Sequence, residues 1–153
     1  MIILDTKKEY EKHIDLLKSK GEIISLVPTM GNLHDGHLSL IEIAKKKSSK
    51  VITTIFINPL QFGKDEDFAS YPRTINQDIS KLKKLNCDIL FAPKTKNEVF
   101  NNIDNLKNLG AGPKGNILCG KNRPGHFDGV LKVIYMLFQL TQPHLSVFGL
   151  KDF

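Results

Sequence analysis

Apolar residues along this chain follow two alternating patterns, one at helical spacing and one in short continuous runs. The continuous runs are rich in β-branched residues and end at turn-forming residues, which is typical of buried parallel strands. The predicted helices start near residues 6, 38, 74 and 129, and the predicted strands cover residues 22–27, 51–57, 88–92 and 145–148. Helices alternating with strands predict an α/β fold, a Rossmann-like doubly wound parallel sheet, formed by residues 1–153 as a single domain.

Several residues set the expected ends of these elements. Thr6 begins a capping box and Gly21 is expected to stop the first helix. Pro28 is expected to end the strand of residues 22–27. In the irregular stretch 94–128 a short strand near Ile117-Leu118 is possible, and residues 129–142 are predicted to form a largely buried helix.

Composition and charge narrow the function classes. The net charge of +6 comes from 22 basic and 16 acidic residues, and lysines crowd residues 45–50, at the expected end of a helix. The helix dipole favours cations there, so the basic excess predicts no nucleic-acid partner. No apolar run is long enough for a membrane span, and the first residues do not resemble a signal peptide. Cys87 and Cys119 form neither a metal spacing nor a disulfide framework, which favours a cytoplasmic location.

The most informative stretch lies at the first predicted strand-to-helix turn. His34 and His37 are three residues apart beside Gly31 and Gly36, at the expected start of a helix. Helix N-termini favour anions, and imidazoles can donate hydrogen bonds to a phosphate as charge develops. The turn therefore predicts a nucleotide phosphate site. Two alternatives stay open: a zinc site with His126 as a third ligand, or histidines with a purely structural role.

Further candidate residues follow the later strands. Gln61, after the strand of residues 51–57, can both donate and accept hydrogen bonds, and Phe62 can form a pocket wall beside it. Arg123 suits a carboxylate or phosphate. Lys151 is within reach of phosphates and Asp152 suits a ribose or a metal-bound water. Each of these residues also has a non-functional interpretation. Gln61 can belong to a plain Asn-Pro turn, Arg123 can be a solvated surface arginine, and Lys151 with Asp152 can be a common pair at a strand end.

Five blocks in order then carry a resemblance to a known family. The blocks are Pro28-Thr29-Met30-Gly31-x-Leu33-His34-x-Gly36-His37, Phe56-x-Asn58-Pro59-x-Gln61-Phe62, Tyr71-Pro72-Arg73-Thr74, Arg123-Pro124-x-His126-Phe127-x-Gly129-Val130 and Phe148-Gly149-x-Lys151-Asp152. Together they resemble the pantothenate synthetase (pantoate–beta-alanine ligase) family. The His-x-Gly-His element alone indicates only the wider nucleotidyltransferase superfamily.

The resemblance implies an ATP-dependent ligase that joins pantoate to beta-alanine through a pantoyl adenylate and releases AMP and pyrophosphate. It implies His37 as proton donor with His34 beside it, Mg²⁺ on the phosphates with Asp78 as a water-mediated contact, and a homodimer. The implied ATP contacts are Met30, Gly31, Asn32, Leu33, His34, Asp35, Gly36, His37, Gly149, Leu150, Lys151 and Asp152. The implied or predicted substrate contacts are Gln61, Pro28, Thr29, Asn58, Phe62, Arg123 and His126.

Two departures from the family pattern affect these expectations. Leu150 stands where the family usually has Glu. Family members are also longer and carry a second lobe that closes over ATP, so we expect this chain to be a truncated form without the C-terminal domain. The competing hypotheses are a nucleotidyltransferase for another substrate, a non-catalytic nucleotide-binding lobe, and an RNA-binding basic domain.

Overall fold

The structure, a computed structural model, describes residues 1–63, 66, 68–100 and 106–150. The strands are β1 (Ile2–Leu4), β2 (Ile24–Thr29), β3 (Lys50–Ile55), β4 (Ile89–Phe91) and β5 (Leu145–Ser146). The α-helices are α1 (Lys7–Ser19), α2 (Asp35–Lys45), α3 (Ile75–Lys84), α4 (Cys119–Asn122) and α5 (His126–Thr141). Short 3₁₀ turns lie at Pro59–Gln61, Lys96–Glu98 and Gly112–Asn116.

The five strands form one parallel sheet in the order β1-β4-β3-β2-β5. From β2 the chain moves to one side through β3 and β4, and β5 lies on the other side of β2. The direction of winding therefore reverses at β2. In open α/β sheets, ligands bind outside the carboxyl ends of the strands at such a reversal, and the two-histidine turn follows the carboxyl end of β2.

Apolar side chains cover both faces of the sheet. One cluster joins α1 and α5 to the sheet around Tyr10, Phe91 and Leu137. The other joins α2 and α3 to the opposite face around Ile41, Leu82 and Leu90. Helices on both faces confirm the predicted doubly wound α/β fold. Among the described residues, no helix is both long and apolar enough to cross a membrane.

The predicted ends of α1 are confirmed. The hydroxyl of Thr6 accepts a hydrogen bond from the Glu9 amide and donates one to the Glu9 carboxylate. Gly21 follows the helix with a φ of +68°, and the Glu22 amide donates back to the Leu17 carbonyl. These contacts satisfy backbone groups that a helix end otherwise leaves without partners.

Pro28 does not end β2, which continues to Thr29. On the β5 side, the Leu26 carbonyl accepts a hydrogen bond from the Val147 amide, close to where the pairing of β2 with β5 stops. Alternate residues of a strand face the same neighbour, so the missing N–H of Pro28 also faces the β5 side, past the paired stretch. Proline is tolerated there because no ladder hydrogen bond is lost.

Three other sequence expectations are wrong or incomplete. β1 was not predicted, because three residues at the chain start give too short a pattern. No strand forms at Ile117-Leu118, where the side chain of Leu118 is 84% exposed. The helix predicted for residues 129–142 begins earlier, at His126, and is amphipathic: Val133, Leu137 and Leu140 are buried, whereas Leu131, Tyr135 and Phe138 are exposed.

Candidate functional site

The turn after β2 brings the two predicted histidines together at the first turn of α2. Their ring centroids are 4.1 Å apart with a tilt of 33° between the planes. His34 is exposed and His37 is half-buried, so the rings lie at the surface rather than in the core. Two adjacent imidazoles beside a helix N-terminus form a surface with hydrogen-bonding capacity and a dipole that favours an anion.

Within this turn, His34 also has a local structural role. As N-cap of α2, its Nδ1 accepts a hydrogen bond from the Gly36 amide at 3.1 Å. A Cβ at position 36 would lie 2.9 Å from Cε1 of His34. Gly36 therefore makes room for the His34 ring.

The loop between β2 and α2 is fixed by hydrogen bonds to its backbone. The Thr29 hydroxyl donates to the Thr54 carbonyl and accepts a hydrogen bond from the Gly31 amide. Further along, the amides of Asn32 and Leu33 donate to the Asp78 carboxylate at 3.0 and 2.8 Å. The protein's own hydrogen bonds therefore fix the backbone of residues 30–33.

A second cluster forms where β3 ends. The Asn58 side chain, which is 0% exposed, donates to the Gln61 side-chain oxygen at 3.1 Å and to the Gly129 carbonyl at 2.9 Å, and accepts from the Leu60 amide. These contacts make Asn58 a support for Gln61, and its contact with substrate stays a prediction. Gln61 in turn donates from Nε2 to the Met30 sulfur at 2.9 Å, which joins the two clusters.

Close packing of α5 against the turn Pro59–Gln61 depends on Gly129. A Cβ at this position would lie 2.1 Å from the Leu60 carbonyl oxygen and 2.6 Å from the Gln61 Cα. Such distances are well inside van der Waals contact and involve backbone atoms that cannot rotate away. Only glycine at position 129 lets the helix approach the turn this closely.

Arg123 is held within the protein. Its guanidinium forms a bidentate ion pair with Glu66, in which Nε donates to Oε1 and Nη2 donates to Oε2 at 2.8 Å. Its third nitrogen, Nη1, lies 3.0 Å from Nε2 of His126. The Arg123 guanidinium lowers the pKa of Glu66 to about 2. These partners engage three of the five N–H groups of the guanidinium, and a contact of Arg123 with substrate stays a prediction.

His126 connects this ion pair to Gln61. Arginine only donates hydrogen bonds, so Nε2 of His126 must accept from Arg123, and the ring proton must sit on Nδ1. Nδ1 lies 2.8 Å from the Gln61 carbonyl oxygen and donates to it. With both nitrogens bonded to other groups, His126 fits neither a third zinc ligand nor a free substrate contact.

The other predicted contacts divide between support and open surface. Phe62 packs edge-on against Phe68 and Tyr71, with centroid distances of 5.2 and 5.7 Å. Leu150 is 90% exposed beyond β5. Gly149 precedes it at the same edge of the sheet, whereas the predicted contacts Lys151 and Asp152 lie outside the described residues.

A cavity of about 550 Å³ opens at the carboxyl ends of β2, β3 and β4. Met30, Gly31 and Asp78 line it on the side of the histidine turn, and Lys94 and Lys96 line it after β4. Neither His34 nor His37 belongs to its wall. It therefore adjoins the loop of residues 30–33 but does not enclose the imidazoles.

Two features of the site were not predicted from the sequence. Glu66 was not considered, because nothing local indicates that it meets Arg123, 57 positions away. Asp78 was expected to contact magnesium through a water, although its place one helical turn before the buried Leu82 on α3 was a readable sign of burial.

The strand reversal at β2 and the paired histidines beside it define a doubly wound α/β domain of the His-x-Gly-His type. Residues 2–153 match the family described as Pantoate-beta-alanine ligase. The chain belongs to this family.

Individual relatives agree with this assignment. The chain is 49% identical over 130 residues to the pantothenate synthetase of Methylobacillus flagellatus, covering 85% of this chain and 46% of that protein. It is 43% identical over 153 residues to the enzyme of Chromohalobacter salexigens, covering 100% and 54%.

A solved structure agrees as well. The pantoate-beta-alanine ligase of Francisella tularensis, complexed with beta-gamma ATP and beta-alanine, superposes with a TM-score of 0.87 at 41% identity and covers 95% of this chain and 55% of that one. The chain thus spans about half the length of the relatives it matches.

Proposed function

We propose that this chain forms the nucleotide-binding part of an ATP-dependent ligase that condenses pantoate with beta-alanine. The observation that carries the proposal is the paired imidazoles of His34 and His37 at the start of α2, in a chain whose family membership extends over residues 2–153. An anion-favouring helix start at a strand reversal suits the phosphates of ATP.

In the first half-reaction, a pantoate carboxylate oxygen attacks the α-phosphorus of ATP. The bond from that phosphorus to the bridging oxygen breaks, and pyrophosphate leaves with the electron pair. Negative charge grows on the phosphate oxygens in the transition state, and hydrogen bonds from His34 and His37 stabilise that charge. We assign His37 as the proton donor and the loop of residues 30–37 as the surface that orients the triphosphate.

In the second half-reaction, the beta-alanine amine attacks the acyl carbon of pantoyl adenylate. The bond from that carbon to the phosphate oxygen breaks and AMP leaves, while the amine loses a proton. Gln61 is suited to orient both acids, because its carboxamide keeps one N–H and one oxygen lone pair beyond its hydrogen bonds with Met30 and Asn58, and its backbone is fixed by His126.

Four further assignments complete the proposal. Mg²⁺ accompanies the ATP phosphates and neutralises part of their charge. The complete enzyme is a homodimer in the cytoplasm, with a second lobe that closes over the nucleotide. Sedimentation of the complete protein, with and without ATP, measures the dimer directly, and a monomer at working concentration would contradict it.

Isotope exchange between pyrophosphate and ATP tests the proposed function. We expect exchange that requires pantoate, and a decrease of at least about 100-fold in His37→Ala. His13→Ala is the matched control, because His13 lies on α1, outside both clusters. Exchange driven by another acid would indicate a different nucleotidyltransferase, and near-normal exchange in His37→Ala would contradict the role of that histidine.

A further inference from the structure

A buried carboxylate attaches the loop of residues 30–33 to α3. Asp78 is 1% exposed, and three donors converge on it. Its Oδ1 accepts the Leu33 amide at 2.8 Å, and its Oδ2 accepts the Asn32 amide and the Thr74 hydroxyl, both at 3.0 Å. Hydrogen bonds to a charged acceptor are stronger than neutral ones, so this contact holds the loop firmly.

The loop backbone is shaped to present both amides to this carboxylate. Gly31 and Asn32 have φ angles of +83° and +51°, so two successive residues lie in the left-handed region. A Cβ at Gly31 would lie 3.0 Å from Cγ2 of Ile55 and 3.2 Å from Oδ2 of Asp78. Glycine at position 31 therefore allows both the turn and the close approach of the carboxylate.

Lys81, one helical turn after Asp78, contacts the same loop residue through its other backbone group. Its ammonium donates to the Leu33 carbonyl, while Asp78 accepts from the Leu33 amide. The Leu33 side chain is itself buried. Since His34 follows directly and caps α2, the position of the two imidazoles depends on this attachment to α3.

We propose that Asp78 is a positioning residue for the adenylation step, which fixes the phosphate-facing loop through the Asn32 and Leu33 amides, and is not a magnesium contact. The catalytic part of this inference rests on the proposed function. The structural part, the attachment of the loop, does not.

The hydrogen bonds at Asp78 argue against a metal there. Mg²⁺ requires oxygen ligands with available lone pairs in near-octahedral geometry. Oδ2 of Asp78 already accepts two hydrogen bonds and Oδ1 one, all from protein donors, so of roughly four acceptor positions on the carboxylate only one, on Oδ1, is left for a metal-bound water. In the described part of the chain, moreover, no group of three or more His, Cys, Asp or Glu residues is arranged to hold a metal ion.

Asp78→Asn tests the attachment with the smallest possible change of shape. The new amide group donates where the carboxylate accepted, and whichever way it turns it faces the N–H of Asn32 or of Leu33. We expect amide hydrogen exchange at Asn32 and Leu33 to accelerate at least about 10-fold in the full chain. Protection factors equal to those of the wild type at both amides would overturn the proposal.

Kinetics of the same variant separate positioning from metal binding. A misplaced loop should lower the rate of pantoate-dependent pyrophosphate exchange at saturating ATP about 10- to 100-fold, with little change in the KM for pantoate. Added Mg²⁺ should not restore the rate. Recovery of the rate at high Mg²⁺ would show a metal role and overturn the proposal.

Two further variants keep the test decisive. Asp88→Asn is the matched control. The Asp88 carboxylate also accepts a backbone amide, that of Val51, but at the amino ends of β3 and β4, so this variant should change neither readout.

Thr74→Val removes a single hydrogen bond to Asp78 and should accelerate hydrogen exchange at Asn32 and Leu33 by a smaller factor. This variant keeps the inference testable if Asp78→Asn does not fold. If the wild type shows no pantoate-dependent exchange, the proposed function fails while the amide measurement still decides the attachment.

Discussion

The two clusters at the carboxyl edge of the sheet are built in different ways. The histidine turn is made of consecutive residues, 30–37, and its contacts are short in sequence apart from the attachment to α3 and the hydrogen bond from Gln61 to Met30. The Gln61 cluster instead joins residues 58–66 to residues 123–129, with hydrogen bonds across 57, 65 and 71 positions. The histidine turn therefore depends on local conformation and on its attachment to α3, whereas the Gln61 cluster depends on how α5 packs.

Gly129→Ala should have the largest effect on the Gln61 cluster. The added Cβ overlaps the Leu60 carbonyl, so α5 must move away from the turn Pro59–Gln61. We expect the free energy of unfolding, measured in urea titrations, to fall by about 3 kcal/mol. We also expect the variant to lose pantoate-dependent exchange while it still binds ATP.

Gly112→Ala is the matched control for that substitution. Gly112 has a φ of +59° but nothing within 4 Å of an added Cβ. Its cost should be limited to backbone strain, about 1 kcal/mol. Equal losses in the two variants would show that close packing of α5 is not what position 129 provides.

Asn58→Ala should cost about 2 kcal/mol in the same titration, because it leaves the Leu60 amide and the Gln61 side-chain oxygen without their partner in a buried place. Gln61 should then orient pantoate poorly, so the KM for pantoate should rise while the affinity for ATP is kept. The exposed Asn76 on α3 is the control, and Asn76→Ala should stay within about 0.5 kcal/mol of the wild type. An ATP defect as large as the pantoate defect would argue against two separable clusters.

The contrast between the clusters also explains what the sequence could predict. His34 and His37 were found because a strand, a glycine-bearing turn and a helix follow one another within a short stretch. Gln61 was found from its place after a buried strand. The ion pair of Arg123 with Glu66 was not found, since the partner of a charged side chain depends on contacts distant in sequence.

Fold prediction was subject to the same limit. The alternation of β-branched runs with helical spacing was enough to predict the parallel sheet with helices between its strands. It failed for the apolar residues Ile117 and Leu118, which are exposed. They lie in a glycine-rich segment without a regular spacing of apolar residues, so the sequence there did not indicate the secondary structure. It also failed for the outer face of α5, because apolar composition alone does not reveal which face of a helix meets the core.

His34 allows a smaller and sharper comparison within the turn, because it is both the N-cap of α2 and one of the proposed phosphate contacts. His34→Ala should lower the free energy of unfolding by about 1 kcal/mol because the N-cap is lost. His34→Asn should retain most of that stability, since asparagine is a good N-cap. Pyrophosphate exchange should decrease in both variants. Full exchange activity in His34→Asn would mean that capping alone explains the residue.

Glu66 gives the smallest expected effect, which appears only as a dependence of stability on pH. The Arg123 guanidinium lowers the pKa of Glu66 from 4.5 to about 2 in the folded protein. Because the folded pKa lies below the unfolded one, the stabilisation is fully present above about pH 5 and is lost as the pH falls towards 2. The unfolding free energies of the wild type and Glu66→Gln should therefore differ near neutral pH and converge in acid. In an Arg123→Met background, the effect of Glu66→Gln on the free energy of unfolding should no longer depend on pH. If that effect still disappears in acid, a partner other than Arg123 lowers the pKa of Glu66.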